Sequence, residues 1–128
     1  MNIIGIDYGA KMAGTTVIAH LHDEQLTLTQ SVKKQDADKF VLEKVAAIQP
    51  THLFLDAPLS LPGVYRSLPD CDSFFYRKSD QAVQAMSPMF LGGLTARAMQ
   101  LAHQLQNQGL EIIEIYPAKL AERLGLKA

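Results

Sequence analysis

The chain has 128 residues and a mass of 14.1 kDa, which suits a single domain over residues 1–128 and leaves no material for a second core. Hydrophobic residues make up 48% and charged residues 20%, a balance that excludes the disordered, collagenous and supercharged classes. With 12 Lys and Arg against 13 Asp and Glu there is no bulk basic footprint, so any nucleic-acid contact has to be local.

A single cysteine, Cys71, cannot form an internal disulfide. Together with the lack of a secretory n-region and h-region, it points to a cytoplasmic protein. The longest apolar runs fall far short of the ~20 residues that cross a bilayer, so no membrane span is expected.

Residues 2–7 are predicted as a buried strand, because Ile3, Ile4 and Ile6 are β-branched and the run stops at the turn signal Asp7-Tyr8-Gly9. Thr15, Thr16, Val17, Ile18 and Ala19 follow Gly14 as a second strand. After the polar turn His22-Asp23-Glu24, Leu26 and Leu28 alternate with Thr27 and Thr29, the pattern of an edge strand with one solvated face. Short links between these runs favour an antiparallel meander.

The period then changes. Phe40, Val41, Val45 and Ile48 share a helical stripe, with Asp36 or Asp38 as N-cap and Pro50 at the end. Leu53, Phe54 and Leu55 form a continuous apolar run that stops at Asp56, the pattern of a central strand covered on both faces. A right-handed crossover through the helix places this strand beside the first.

Residues 57–79 carry Pro58, Pro62, Gly63 and Pro69 and are expected as an irregular loop bordering a site. A helix is predicted over about residues 94–108, with Gly109 as its stop, and a fifth strand over 110–115. Pro117 opens a last helix over 118–124, closed by Gly125. The expected architecture is α/β, with a five-stranded mixed sheet in the order 3-2-1-4-5 and flanking helices.

Asp7 and Asp56 each end an apolar strand. If those strands are parallel neighbours, the ends lie about 4.8 Å apart, and two such carboxylates repel, raise one pKa or recruit a cation. Oxygen-only ligation favours Mg²⁺ or Mn²⁺. Pro58 holds Ala57 extended and carries the chain away from the sheet, leaving the Asp56 carboxylate at an open edge. Taken singly, either aspartate also suits an Asx-type turn; the pair is what points to a site.

The opening Ile4-Gly5-Ile6-Asp7-Tyr8-Gly9, with Lys11 and Gly14, resembles the first hairpin of the ribonuclease H-like superfamily. Asp56-Ala57-Pro58-Leu59, Arg66, Cys71-Asp72, Arg77, Ser87-Pro88 and Glu114-Ile115-Tyr116-Pro117-Ala118 together resemble one branch of it, the predicted nuclease family DUF429. The resemblance covers nearly the whole chain. It implies a ribonuclease H-like fold, metal-dependent phosphodiester hydrolysis and Asp7 and Asp56 as metal ligands. Nucleases of this superfamily tend to take a further carboxylate from a C-terminal helix, where Glu122 is the sole acid here.

Asp72 is the preferred third catalytic carboxylate, because it lies in the long loop within the family-like Cys71-Asp72 pair. Glu114 is a secondary candidate, and Asp70 and Asp80 are expected in solvent. Lys11, Arg66 and Arg77 are the candidate substrate-binding cations, since Arg presents a forked donor that suits phosphate; Lys78 and Arg97 lie near the same loops. Tyr65, Phe74, Phe75 and Tyr76 could stack on bases, although burial beneath the loop is the expected fate of Phe74 and Phe75. Met86 and Met89 are expected to pack, and His20 and His22 to sit in solvent near a surface turn without zinc-type partners. Cys71 has no local His to activate it.

Three functional readings follow. The first is an Mg²⁺- or Mn²⁺-dependent nuclease acting on nucleic acid. The second is nucleotide binding, because Asp7-Tyr8-Gly9, Lys11, Gly14 and Thr15-Thr16 are similar to the first phosphate loop of sugar kinases and actin-like ATPases. The third is a non-enzymatic module that binds a partner or forms a homodimer through its edge strand at residues 26–30, flanked by Lys33 and Lys34.

Overall fold

A computed structural model of the chain describes residues 1–119, 124 and 125. Five strands form one sheet in the order β3-β2-β1-β4-β5, as the sequence predicts. They are β1 (Asn2–Asp7), β2 (Val17–His22), β3 (Gln25–Gln30), β4 (His52–Leu55) and β5 (Glu111–Glu114). The first three make the antiparallel meander, with Ile6 opposite Ile18 and Ala19 opposite Leu28. Beyond them, β4 lies parallel to β1 and β5 parallel to β4, with Leu55 beside both Ile6 and Glu114.

Between β3 and β4 runs α1 (Ala37–Ile48). Its N-cap is Asp36, whose carboxylate accepts the backbone N–H groups of Asp38 and Lys39 at 2.9 and 3.2 Å. Its end is set by Gln49, which adopts a left-handed conformation and donates back to the Val45 carbonyl. The segment after β4 contains a 3₁₀ turn at Gly63–Arg66 and two short helices, α2 (Lys78–Val83) and α3 (Pro88–Leu91). Then α4 (Gly93–Leu105) runs into a 3₁₀ turn and stops at Gly109, whose φ of 68° costs a glycine nothing sterically. Residues 117–119 are helical, while the rest of the predicted last helix and Glu122 lie outside the described residues.

The core occupies one side of the sheet. Ile4, Ile6, Ile18, Leu53 and Leu55 share a parity and pack against Val41 and Val45 of α1 and Ala98, Leu101 and Leu105 of α4. Residues of the opposite parity, Ile3, Ala19, Leu21, Phe54 and Ile113, are only half-buried. This corrects the expectation that β4 is covered on both faces. The same parity places Leu26 and Leu28 of β3 outward, each 65% exposed.

β2 begins two residues later than expected, because Thr15 and Thr16 belong to the loop after β1. That loop is tightly tied. The Thr16 hydroxyl accepts from the Gly9 N–H at 3.0 Å, and Gly14 has a φ of 71° with Lys33 so near that a β-carbon would collide with its backbone. The shift brings His20 and His22 onto β2, where their rings stack 5.9 Å apart and His20 bonds the Asn2 side chain at 2.6 Å.

A polar clip joins the end of β1 to both core helices. Asp38 of α1 accepts the Tyr8 hydroxyl and, at 2.9 Å each, Nε and Nη2 of Arg97 on α4. Arg97 also donates to the Gly9 carbonyl at 3.0 Å and lies 4.5 Å above the Tyr8 ring. Burial alone would raise the Asp38 carboxyl, but the hydrogen bonds from Arg97 and Tyr8 outweigh it and hold the group below the usual carboxylate range.

The clip stabilises the fold while Asp38 is ionised, an effect complete above its unfolded titration range and lost as pH falls through the depressed folded value. Asp38→Asn should therefore cost about 1.5–3 kcal/mol near neutrality. In urea denaturation the gap from wild type should narrow as pH is lowered through the carboxylate range; a gap independent of pH would show that the clip is not ionic.

Candidate functional site

The carboxyl ends of β1 and β4 lie side by side because the two strands are parallel and in register, and the Asp56 N–H donates to the Ile6 carbonyl at 3.1 Å. Asp7 is exposed and Asp56 half-buried. Burial raises the Asp56 carboxyl above its ordinary value, and the charge of Asp7 raises it further. The two side chains are thus electrostatic neighbours, and no cation among the described side chains offsets them with a hydrogen bond or ion pair.

Beside Asp56 opens a cleft of about 290 Å³. Tyr8, Ala57 and Pro58 form its sheet side, Met86, Leu91 and Leu94 its apolar wall, and Arg77, Glu114 and Tyr116 its polar wall. The position is the one open α/β sheets reserve for ligands, beyond the carboxyl ends of parallel strands.

The polar wall is built on Arg77. Its guanidinium is buried and binds Asp80 through Nε and Nη2 at 3.0 and 2.7 Å, Glu114 through Nη1 and Nη2 at 2.7 and 2.6 Å, and the Ser60 hydroxyl at 3.1 Å. Asp80 also accepts the Arg77 N–H at 2.9 Å, which starts α2, and Glu114 accepts the Leu59 N–H at 2.8 Å. Burial would raise the Glu114 carboxyl, but hydrogen bonds from Arg77, the Leu59 N–H and Tyr116 hold it low.

This arrangement corrects several expectations. Arg77 has its donors committed to carboxylates and is a structural tie, not an open phosphate contact. Asp80 is 1% exposed instead of solvated. Glu114 faces the cleft but is bound to Arg77. Arg97 is held in the clip.

Of the other candidate cations, Lys11 lies 3.7 Å from Asp36, and Arg66 is exposed at the end of the 3₁₀ turn with no hydrogen bond or ion pair among the described residues. Asp72 is exposed on the loop. Among the described residues no three His, Cys, Asp or Glu side chains gather closely enough to hold a metal ion, so Asp72 does not join Asp7 and Asp56 in a cluster. The donor set is two carboxylates. It fits a hard divalent cation that keeps most of its water, and does not fit zinc, which takes its ligands from a closed or nearly closed protein shell.

The loop aromatics also differ from expectation. Phe74 and Phe75 are 56% and 52% exposed, and Met86 and Phe90 are exposed with them. Phe75 stacks on Phe90 with centroids 5.6 Å apart, Tyr76 meets Phe90 edge-on at 6.2 Å, and Tyr65 meets Phe74 edge-on at 5.7 Å. The loop's short helices explain this. Ser87 caps α3 by accepting the Met89 N–H at 3.0 Å and donates its hydroxyl to the Phe75 carbonyl, so the rings are held at the surface by polar bonds beneath them.

Removing Arg77 leaves two carboxylates without their cation at the base of the cleft. Arg77→Met is expected to cost about 3–5 kcal/mol in chemical denaturation, whereas Arg66→Met at an exposed, unpartnered position should stay within about 0.5 kcal/mol of wild type. Equal costs would show that the buried triad is not what holds the wall.

Among the described residues no helix is long and apolar enough to cross a membrane. Compared with known proteins, the chain matches no family model, and no curated protein is significantly similar to it.

Proposed function

We propose that the protein is a metal-dependent phosphodiester hydrolase of the ribonuclease H-like kind, acting on nucleic acid at the carboxyl ends of β1 and β4. One observation carries the reading: Asp7 and Asp56 end adjacent parallel strands, and the proton affinity of Asp56 is raised by burial and by its neighbour's charge. Such a pair favours the recruitment of a cation. The motif resemblance, which assigns the metal to these same two positions, supports it independently of the geometry.

Asp7 and Asp56 would hold Mg²⁺ or Mn²⁺, and when bound such an ion supplies positive charge at the phosphate and makes water more acidic. The chain's own residues do the rest. The cleft beside Asp56 gives the scissile group a partly dry wall, and Arg77 keeps that wall fixed without touching substrate. Arg66 and Lys78, exposed on the segment after β4, would supply the cations for phosphate oxygens.

The nucleotide-binding reading has less support. Its phosphate loop would have to offer free backbone donors and a free lysine, but the Gly9 N–H is bonded to Thr16 and Lys11 lies against Asp36.

Two measurements test the proposal. With Mn²⁺ present, wild type should cleave oligonucleotides while Asp7→Asn and Asp56→Asn lose cleavage by two orders of magnitude or more, with unchanged circular dichroism. Cleavage that survives in both variants overturns the assignment. The second measurement is stability without metal. Because its folded pKa is raised, Asp56 favours the folded state while protonated, and that contribution is lost as pH rises through the folded value. Near neutrality Asp56→Asn should therefore melt higher than metal-free wild type, and Mn²⁺ should raise the Tm of wild type only.

A further inference from the structure

Five aromatic rings stand on the loop between β4 and α4, and three of them, Phe75, Tyr76 and Phe90, form one contiguous cluster at the surface. Isolated exposed aromatics need no explanation; a stacked cluster held open by polar bonds does. Its support is tied by polar bonds. The Ser87 hydroxyl bonds the Phe75 carbonyl, Thr95 bonds the Pro88 carbonyl at 2.8 Å, and Arg77, the residue after Tyr76, is locked between Asp80 and Glu114.

The cluster also neighbours the cleft along the chain. Leu91, next to Phe90 on α3, and Met86, one residue before the α3 cap, both line the wall that faces Asp56. A ligand that lies on the rings and enters the cleft would approach Asp56 past these two side chains.

We infer that this ring cluster is a base-stacking platform and that the substrate class is single-stranded nucleic acid; the inference deepens the hydrolase reading and rests on it for the location of the scissile phosphate. A flat π-face accepts any base, but only one that is not already stacked and paired in a duplex. The cations Arg66 and Lys78 are exposed and make no hydrogen bond or ion pair among the described residues, so they are open to phosphates. Asp70 and Asp72, exposed on the same loop, cancel that charge. Binding then depends on stacking more than on charge, and its salt dependence is shallow.

The chain contains no tryptophan, so Phe90→Trp makes a single fluorophore inside the cluster with a conservative change. Titrated with oligo(dT) in the presence of a chelator, its emission should be quenched to saturation by the single strand and much less by a duplex of equal length. In fluorescence anisotropy with a labelled oligonucleotide, Phe75→Ala and Tyr76→Ala should each weaken single-strand binding by about tenfold. Both positions are exposed, and circular dichroism checks that the variants fold.

Ring-dependent binding without cleavage would strike the hydrolase reading and leave the platform standing. Cleavage whose KM is untouched by Phe75→Ala and Tyr76→Ala would overturn the platform and leave the hydrolase. Failure of the single strand to quench Phe90→Trp, or ring variants that change only the oligomeric state in size-exclusion chromatography, would also overturn it, the latter marking the rings as a protein contact.

Discussion

A guanidinium buried between two carboxylates holds together the part of this molecule that is not sheet and helix core. Arg77 comes from the long segment after β4, Glu114 from the last residue of β5 and Asp80 from the first turn of α2. None of the three is tolerable alone in its surroundings, since an unpaired buried charge costs several kcal/mol, on the order of 3–5. The segment between β4 and α4 has few apolar residues in the core, so its path is set by this triad, by Ser60 and by the capping of α3. Among the described residues every buried side-chain nitrogen and oxygen has a hydrogen-bond partner, which is what a chain needs when polar ties replace apolar packing.

The two carboxylates at the strand ends present the opposite situation. Glu114 and Asp38 are held below the usual range by donors built around them, while Asp56 is raised by burial and by the charge of Asp7. Among the described residues, the carboxylates that serve architecture are thus met by donors, while Asp56 on the sheet's rim is raised by burial and by Asp7. Under the proposed function, that contrast is what separates a ligand-facing carboxylate from a structural one.

Strand order was legible from the sequence because each strand carries its own signal: a β-branched run in β1, period-two alternation in β3, an apolar block in β4. The stripe of Leu94, Ala98, Leu101, Ala102 and Leu105 likewise announces α4. Which side of the sheet the helices would take was not legible, since alternation fixes only that Leu26 and Leu28 share a face, and that face proved to be the open one. The Arg77 triad was invisible for a different reason. Its members lie 3 and 37 positions apart, and nothing local distinguishes a carboxylate that meets a distant guanidinium from one that meets water. Phe74 and Phe75 defaulted to burial because aromatic side chains in loops usually find cover, and the hydrogen bond from Ser87 that props their segment outward is a tertiary feature. The position of Asp7 and Asp56 was readable because it followed from strand order alone.

The outer edge of β3 shows what an apolar strand needs in order to remain solitary. Leu26-Thr27-Leu28-Thr29-Gln30 is an uncharged, β-prone stretch with its leucines in water and one row of backbone groups unpaired by the sheet. Asp23 and Glu24 stand at one end of it and Lys33 and Lys34 at the other, charges of opposite sign that act as gatekeepers against fibril-like stacking. Neutralising either pair would leave colloidal stability dependent on the other alone, so the polar turns bracketing this strand carry a solubility duty in addition to the backbone tie from Lys34 to Met12.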